Sequence, residues 1–295
     1  MNRQDLAATY RGWALDGLAS LREMLPLMAP LGSYHFDDPS AATAVRDLAV
    51  AAVRTAESAM LLCEYGQVWD GELAMRSTIE ASLKFCYILQ ARHTFATRAH
   101  EYSQDLFDIG LLRDHNKVSS ILSGLSAGSA RQLRPLTDRI LNPAELDRIQ
   151  GRLPRPVRAA IEGRWGFTGI IAALDRSNDE LFAGVAEMAH IYSMASHVMH
   201  ADPIGAMMPL ERDRRPAESR EASHAVHLAR LVLDAIGCHR LRLRVMYRFV
   251  GAKPEGLARA NELTEAAHQR HDEAYRKFME VEYPVGSHAL SDRSR

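Results

Sequence analysis

The sequence predicts an all-α fold. Three observations carry this. Apolar residues recur at three- and four-residue steps along most of the chain. The breaks between those runs fall at proline, glycine and cap-forming residues. No alternating apolar-polar run reaches useful strand length. With 295 residues and 47% hydrophobic content, the chain is long enough for one large or two modest domains, each with a sizeable core.

Taken in order, Leu6 to Met28 has helical spacing and is expected to stop at Pro30 and Gly32. Pro39-Ser40 opens a long helix through Ala51, Val53 and Met60 that ends near Gly66. Val68 to Ala91 follows at once and is apolar on most sides after Ala81, the mark of a helix buried in a bundle. Helices are expected from about Thr94 to Leu122 and from Ser129 to Leu141. Asn142-Pro143 combines a cap residue with proline at the first helical position and starts a short helix to about Gly151. Ser177-Asn178 is expected to cap a histidine-bearing helix that Pro203 ends, leaving a charged connection from Gly205 to Ser219 that carries Arg212, Arg214 and Arg215. Pro216 opens a long helix through Val250-Gly251, and Pro254 to about Val281 forms the last.

These elements are expected to make one helical domain over residues 1–285, with an elaboration at about 123–165 too short to bury a core of its own. Ser123 to Ala130 is the most linker-like stretch, and the tail 286–295 is expected to be disordered. Lys plus Arg total 36 against 37 for Asp plus Glu, which argues against attachment to nucleic acid or membrane by bulk charge. The N-terminus is charged from the start and no apolar run approaches about 18 residues, so the expectation is a cytoplasmic protein with no membrane association. Cys63, Cys86 and Cys238 are scattered in apolar helical contexts and read as small buried hydrophobes.

Two stretches place polar groups inside otherwise apolar helices. Glu72, Arg76, Glu80 and Lys84 stand at four-residue steps with alternating sign, the pattern of a surface ion-pair ladder, yet their flanks are apolar enough for the stripe to face another helix. His190, Ser193, Ser196, His197 and His200 fall within an arc of about 120°, opposite Met188, Ile191, Met194, Ala195 and Val198. Imidazoles at that spacing suit acid–base work in a cleft, and a solvated helix face has the same pattern. If the two helices pack together, they build one polar site.

Other patterns carry less. Glu187-x-x-His190, Glu221-x-x-His224 and Glu265-x-x-His268 match an element of di-iron bundles. Glu187 lies mid-helix and Glu221 in the first turns of the next long helix, which would set them about 13 Å apart in height across an antiparallel pair. No metal or other cofactor is therefore expected. Arg240, Arg244 and Arg248 form a basic stripe with His239 beside it, suited to phosphates or to solvent. No glycine-rich phosphate loop or Ser-His-Asp order is present.

The run Ala56-Glu57-Ser58-Ala59-Met60-Leu61-Leu62, the run Trp69 to Glu80, Trp165, and the run Tyr192 to His200 together resemble the bacterial helical domain-of-unknown-function family 5677 over roughly residues 45–210. That family is similar to the HEPN superfamily of helical bundles, many of them metal-independent RNases of toxin, antiphage or RNA-processing systems. The resemblance implies a HEPN-like multi-helix bundle with additional C-terminal helices. It also implies a metal-independent endoribonuclease of a stress or defence system, with RNA or a nucleotide, a homodimer partner and an antitoxin-like protein as partners. HEPN nucleases pair Arg and His with four to six residues between them; Ala195, Met194 and Ser193 stand at those offsets before His200, whereas Arg220 and His227 satisfy the spacing, as chance alone would allow. The expected catalytic site is composite: Arg76 stabilises a phosphate, Glu80 orients it, and His200 moves the proton of the attacking 2′-hydroxyl. Tyr192, Ser193, Ser196, His197 and Asp202 are the expected binding residues. The competing expectation is a non-catalytic helical module recognising a nucleotide, RNA or a protein partner.

Overall fold

The computed structural model describes residues 3–124 and 134–284; among these there are helices and no strand. The segment 125–133, which holds most of the linker-like stretch and the start of the helix expected from Ser129, and the tail beyond 284 lie outside the described residues.

Helix α1 (Arg3–Met24) does not end at Pro30. A 3-10 turn (Leu25–Met28) hands it to a short α2 (Ala29–Ser33), because Pro26 and Pro30 each fall in the first turn of an element, where a missing N–H costs nothing. In α3 (Pro39–Glu64) the Asp38 cap accepts from the Ser40 N–H at 2.8 Å. Gly66, at φ 77°, turns the chain into α4 (Val68–Leu89). The α3–α4 hairpin packs tightly: a Cβ on Gly71 would meet Cys63 Sγ at 2.8 Å.

The helix expected from Thr94 to Leu122 is α5 (Arg92–His100), a π turn (Glu101–Asp105) and α6 (Leu106–Ser123). Only α7 (Arg134–Thr137) stands where a helix to Leu141 was expected. The cap at Asn142 is complete, with Asn142 and Glu145 forming a reciprocal capping box on α8 (Pro143–Arg152). Two helices without strong sequence signals follow, α9 (Arg155–Trp165) and α10 (Phe167–Asp175). The elaboration shares the main core through Ile149, Ile161 and Trp165. It is tied to the π turn and α6 by Arg152 to Asp105 and Asp108, and by the Trp165 indole N–H to Glu101 at 2.8 Å.

The histidine-bearing helix, α11 (Met188–His200), starts ten residues later than Ser177-Asn178 suggests. Asn178 sits in the left-handed region at φ 52°, and 3-10 turns at Glu180–Phe182 and Val185–Glu187 precede the helix. The expected charged connection is helical instead. Asp202 accepts from the Gly205 N–H at 2.9 Å and Pro203 takes the first position, opening α12 (Pro203–Arg214) by the same cap-and-proline logic as Asn142-Pro143. Then α13 (Ala217–Val250) runs about 50 Å to Gly251, and α14 (Ala258–Glu282) closes the chain.

Helix α4 is central. It packs on α3, α13 and α11, while α13 also meets α1 and α14. Met75, Phe85, Cys86, Ile88 and Leu89 of α4 and Leu228, Leu231, Leu243 and Met246 of α13 lie in one continuous core, and all three cysteines are buried free thiols. No helix among the described residues is long and apolar enough to cross a membrane.

Candidate functional site between α4, α11, α12 and α13

The α4 stripe faces helices more than water. Its only ladder pair is Glu80 with Lys84, at 2.7 Å. Arg76 reaches across to α11, donating to the Tyr192 hydroxyl at 2.7 Å and to Met199 Sδ at 2.5 Å, with its guanidinium 4.3 Å from the Tyr192 ring centroid. The Tyr192 hydroxyl donates to Glu80 at 3.2 Å, and the ring stacks on Phe167 at 3.6 Å. Burial alone would raise the Glu80 carboxyl; the Lys84 bond and the Tyr192 and Arg76 neighbours outweigh it and hold it below the usual range. Tyr192 is pushed up by burial and by the Glu80 charge. Arg76, Glu80 and Tyr192 thus form one unit.

One turn earlier the same stripe is deeply buried. Glu72 is 2% exposed and accepts from His227 Nε2 at 2.8 Å and from Arg230, both on α13. Arg230 also donates to Asp234 at 2.6 Å. On its other side, His227 Nδ1 lies 3.2 Å from Arg212 Nη1. A guanidinium can only donate, so Nδ1 must accept and the proton must sit on Nε2, facing Glu72. The imidazole is therefore neutral, in agreement with burial, which lowers its pKa despite the Glu72 hydrogen bond. Glu72 itself would be raised by burial, but the His227 and Arg230 contacts hold it below the usual carboxylate range. Burial pushes Asp234 up to about 6.

Arg212, near the end of α12, lies 4.7 Å above the Trp69 ring and forms no ion pair among the described residues. It borders a cavity of about 620 Å³ with Tyr10, Tyr65, Arg220 and His224. Two smaller cavities, of about 290 and 260 Å³, flank Trp69 and His227 on the α11 and α14 sides. Arg220, His224 and His227 share one face of α13 by their spacing.

The other expected residues lie elsewhere on the α11–α12 hairpin. His197 and Asp202 meet at 2.6 Å, and Asp202 is also the α12 cap, with its carboxyl held low first by the Gly205 N–H and then by His197. His200 and Ser193 are exposed, and Ser196 is half-buried. No hydrogen bond or ion pair joins His200 to Arg76 or Glu80 among the described residues; Arg76 touches its chain neighbour Met199 instead. Of the Arg240 stripe, Arg248 is paired with Asp179 at 2.6 Å. Among the described residues no cluster of three His, Cys, Asp or Glu is placed to hold a metal ion.

No protein-family model, curated protein or solved structure matches this chain. Sequence reasoning missed Arg230 and Asp234, and treated Trp69, Glu72, Arg212 and His227 as parts of other patterns. A usable signal was present: His227, Arg230 and Asp234 are spaced by three and four in the otherwise apolar stretch 225–237, the same signature that marks the α4 stripe.

Proposed function

We propose that this chain is a helical binding module that takes a phosphate-bearing ligand, a nucleotide or single-stranded RNA, in the cavity lined by Arg212, Arg220 and Tyr65. The observation that carries this reading is Arg212, a guanidinium held on an indole with no ion pair among the described residues and open to a cavity that Arg220 also lines, together with Glu64, Asp213 and Glu221. Arginine forks match phosphate oxygens, and aromatic faces accept stacked bases. Tyr65, 75% exposed at the cavity rim, offers such a face.

A second reading, metal-independent cleavage of RNA, is favoured by the Glu72–His227 pair. A neutral imidazole oriented by a buried carboxylate is the arrangement a general base needs. Ligand phosphate drawing Arg212 away would free Nδ1 to take the 2′-hydroxyl proton. This moves the proposed base from His200, which is remote from Arg76 in bonding, to His227, and it makes Arg220 and His227 the Arg–His pair of a HEPN-like site. A stress or defence role with an antitoxin-like partner would follow from cleavage.

The test is equilibrium binding of a labelled single-stranded RNA and of a mononucleotide, with chelator present. Wild-type protein should bind saturably and more weakly at higher salt, and Arg212→Gln and Arg220→Gln should each lose about tenfold in affinity, the order of one charge-assisted contact. Unchanged affinity in both folded variants would remove the reading. Fragments with cyclic phosphate ends, lost in His227→Gln while binding persists, would establish cleavage; intact bound RNA would leave the module.

A further inference from the structure

The α4–α13 interface holds a second polar centre, deeper than the first and unconnected with it by any hydrogen bond among the described residues. Arg242 and His239, one turn apart on α13, are both 0% exposed. Arg242 Nη1 donates to Ser82 Oγ on α4. Ser82 has already given its own proton to the Thr78 carbonyl at 2.6 Å, so its oxygen serves Arg242 purely as an acceptor. Arg242 Nε and Nη2 have no partner among the described residues, nor has either ring nitrogen of His239.

The identity of the unpartnered atoms is informative. Nε and Nη2 form the side edge of the guanidinium, the fork that grips an anion with two parallel N–H bonds. The charge on that edge is permanent, because arginine does not deprotonate in proteins. The ionisable groups beside it are His239, kept neutral by burial, and the Cys86 and Cys238 thiols. Both thiols are buried and stay protonated, since burial pushes the Cys238 thiol up to about 12 and the Cys86 thiol higher still. No carboxylate pairs with Arg242 among the described residues, in contrast with Arg230 about three turns earlier on α13, which has two. A buried cation without a counter-charge is costly, and a buried imidazole needs a partner for its one N–H.

We propose that the Nε–Nη2 edge of Arg242, with His239 beside it, holds a small monovalent anion of halide size, chloride in ordinary buffers, as a structural part of the α4–α13 interface. Full burial between two packed helices restricts the occupant to one or a few atoms. Charge favours a halide over water, since water satisfies the N–H groups but not the cation.

The probes are chloride and bromide, applied to the full chain refolded and melted at fixed ionic strength with gluconate as the replacing anion. The melting temperature should rise with free chloride by roughly 2–3 °C per tenfold once the site is largely filled. Bromide should act alike, and Arg242→Met should abolish the dependence. A bromide-grown crystal should show an anomalous peak beside Arg242 Nε and Nη2. If Arg242→Met does not fold, the peak decides: its presence at that edge sustains the proposal. Melting indifferent to halide, with only a water at that edge, would overturn it.

Discussion

His224 shows how a single side chain writes a pH signature into the fold. Its ring lies 4.8 Å from Tyr10, and burial, with Arg212 and His227 nearby, lowers its pKa to about 4. Between pH 6.5 and about 4 the unfolded chain binds a proton that the folded chain refuses, so this residue's contribution to stability falls as pH drops through that window. His224→Gln should flatten the acid limb of a stability-versus-pH curve over that range; an unchanged limb would show that the native ring protonates freely. Ala201 gives a second prediction. It closes α11 in the left-handed region at φ 46°, where a Cβ is strained and glycine is not. Ala201→Gly should raise unfolding free energy by about 0.5–1 kcal/mol in denaturant titration, after glycine's greater loss of freedom is set against the relieved strain.

At the scale of elements, α4 and α13 are joined by Glu72, whose carboxylate serves both His227 and Arg230. Removing that charge leaves Arg230 with Asp234 as its carboxylate and offers His227 at most a neutral amide oxygen. Glu72→Gln should therefore cost about 3–5 kcal/mol, the usual consequence of breaking one side of a buried ion pair. Replacing the pair together, Glu72→Met with Arg230→Met, should recover only part of the loss, because the desolvation of both charges disappears while Asp234 loses Arg230 and His227 loses its acceptor. Thermal or denaturant melts of the three proteins would check this, and a double variant less stable than Glu72→Gln would contradict it. The same elements show why the helix ends were unevenly legible. Asn142-Pro143 and Asp202-Pro203 have the same chemistry, but the second was read as the stop of α11 although it is also the start of α12.

For the whole molecule, burial separates a firm body from a lighter hairpin. Helices α3, α4 and α13 bury long runs of residues, whereas Ala195 is the buried residue of α11 and Gly205 that of α12. Opening of α11–α12 should then cost less than opening of the core, since local stability follows buried contacts. Hydrogen exchange should be faster in residues 188–214 than in the middle of α4 and α13; equal protection in both would show that the hairpin belongs to the core unit. A saturating ligand at Arg212 should slow exchange in α12, which carries that residue over the cleft.

The sequence by itself determined the helical class, the long central helices and the buried cysteines, because each follows from local periodicity and capping chemistry within a few residues. It also marked Arg76, Glu80 and Tyr192, which do meet, since polar groups spaced by four on apolar helices must find partners. It did not show that α9 and α10 are helices, nor where α11 begins, as their signals are set by docking rather than by caps. Only the tertiary structure decided that Glu72 is buried against His227 and Arg230, 155 residues or more along the chain. Only it set Arg212 over Trp69 and left His200 exposed on the end of α11. The reason is that helical spacing fixes which side chains share a face, whereas what that face meets depends on how separate helices pack, and one turn of α4 separates the Glu72 centre from that of Arg76.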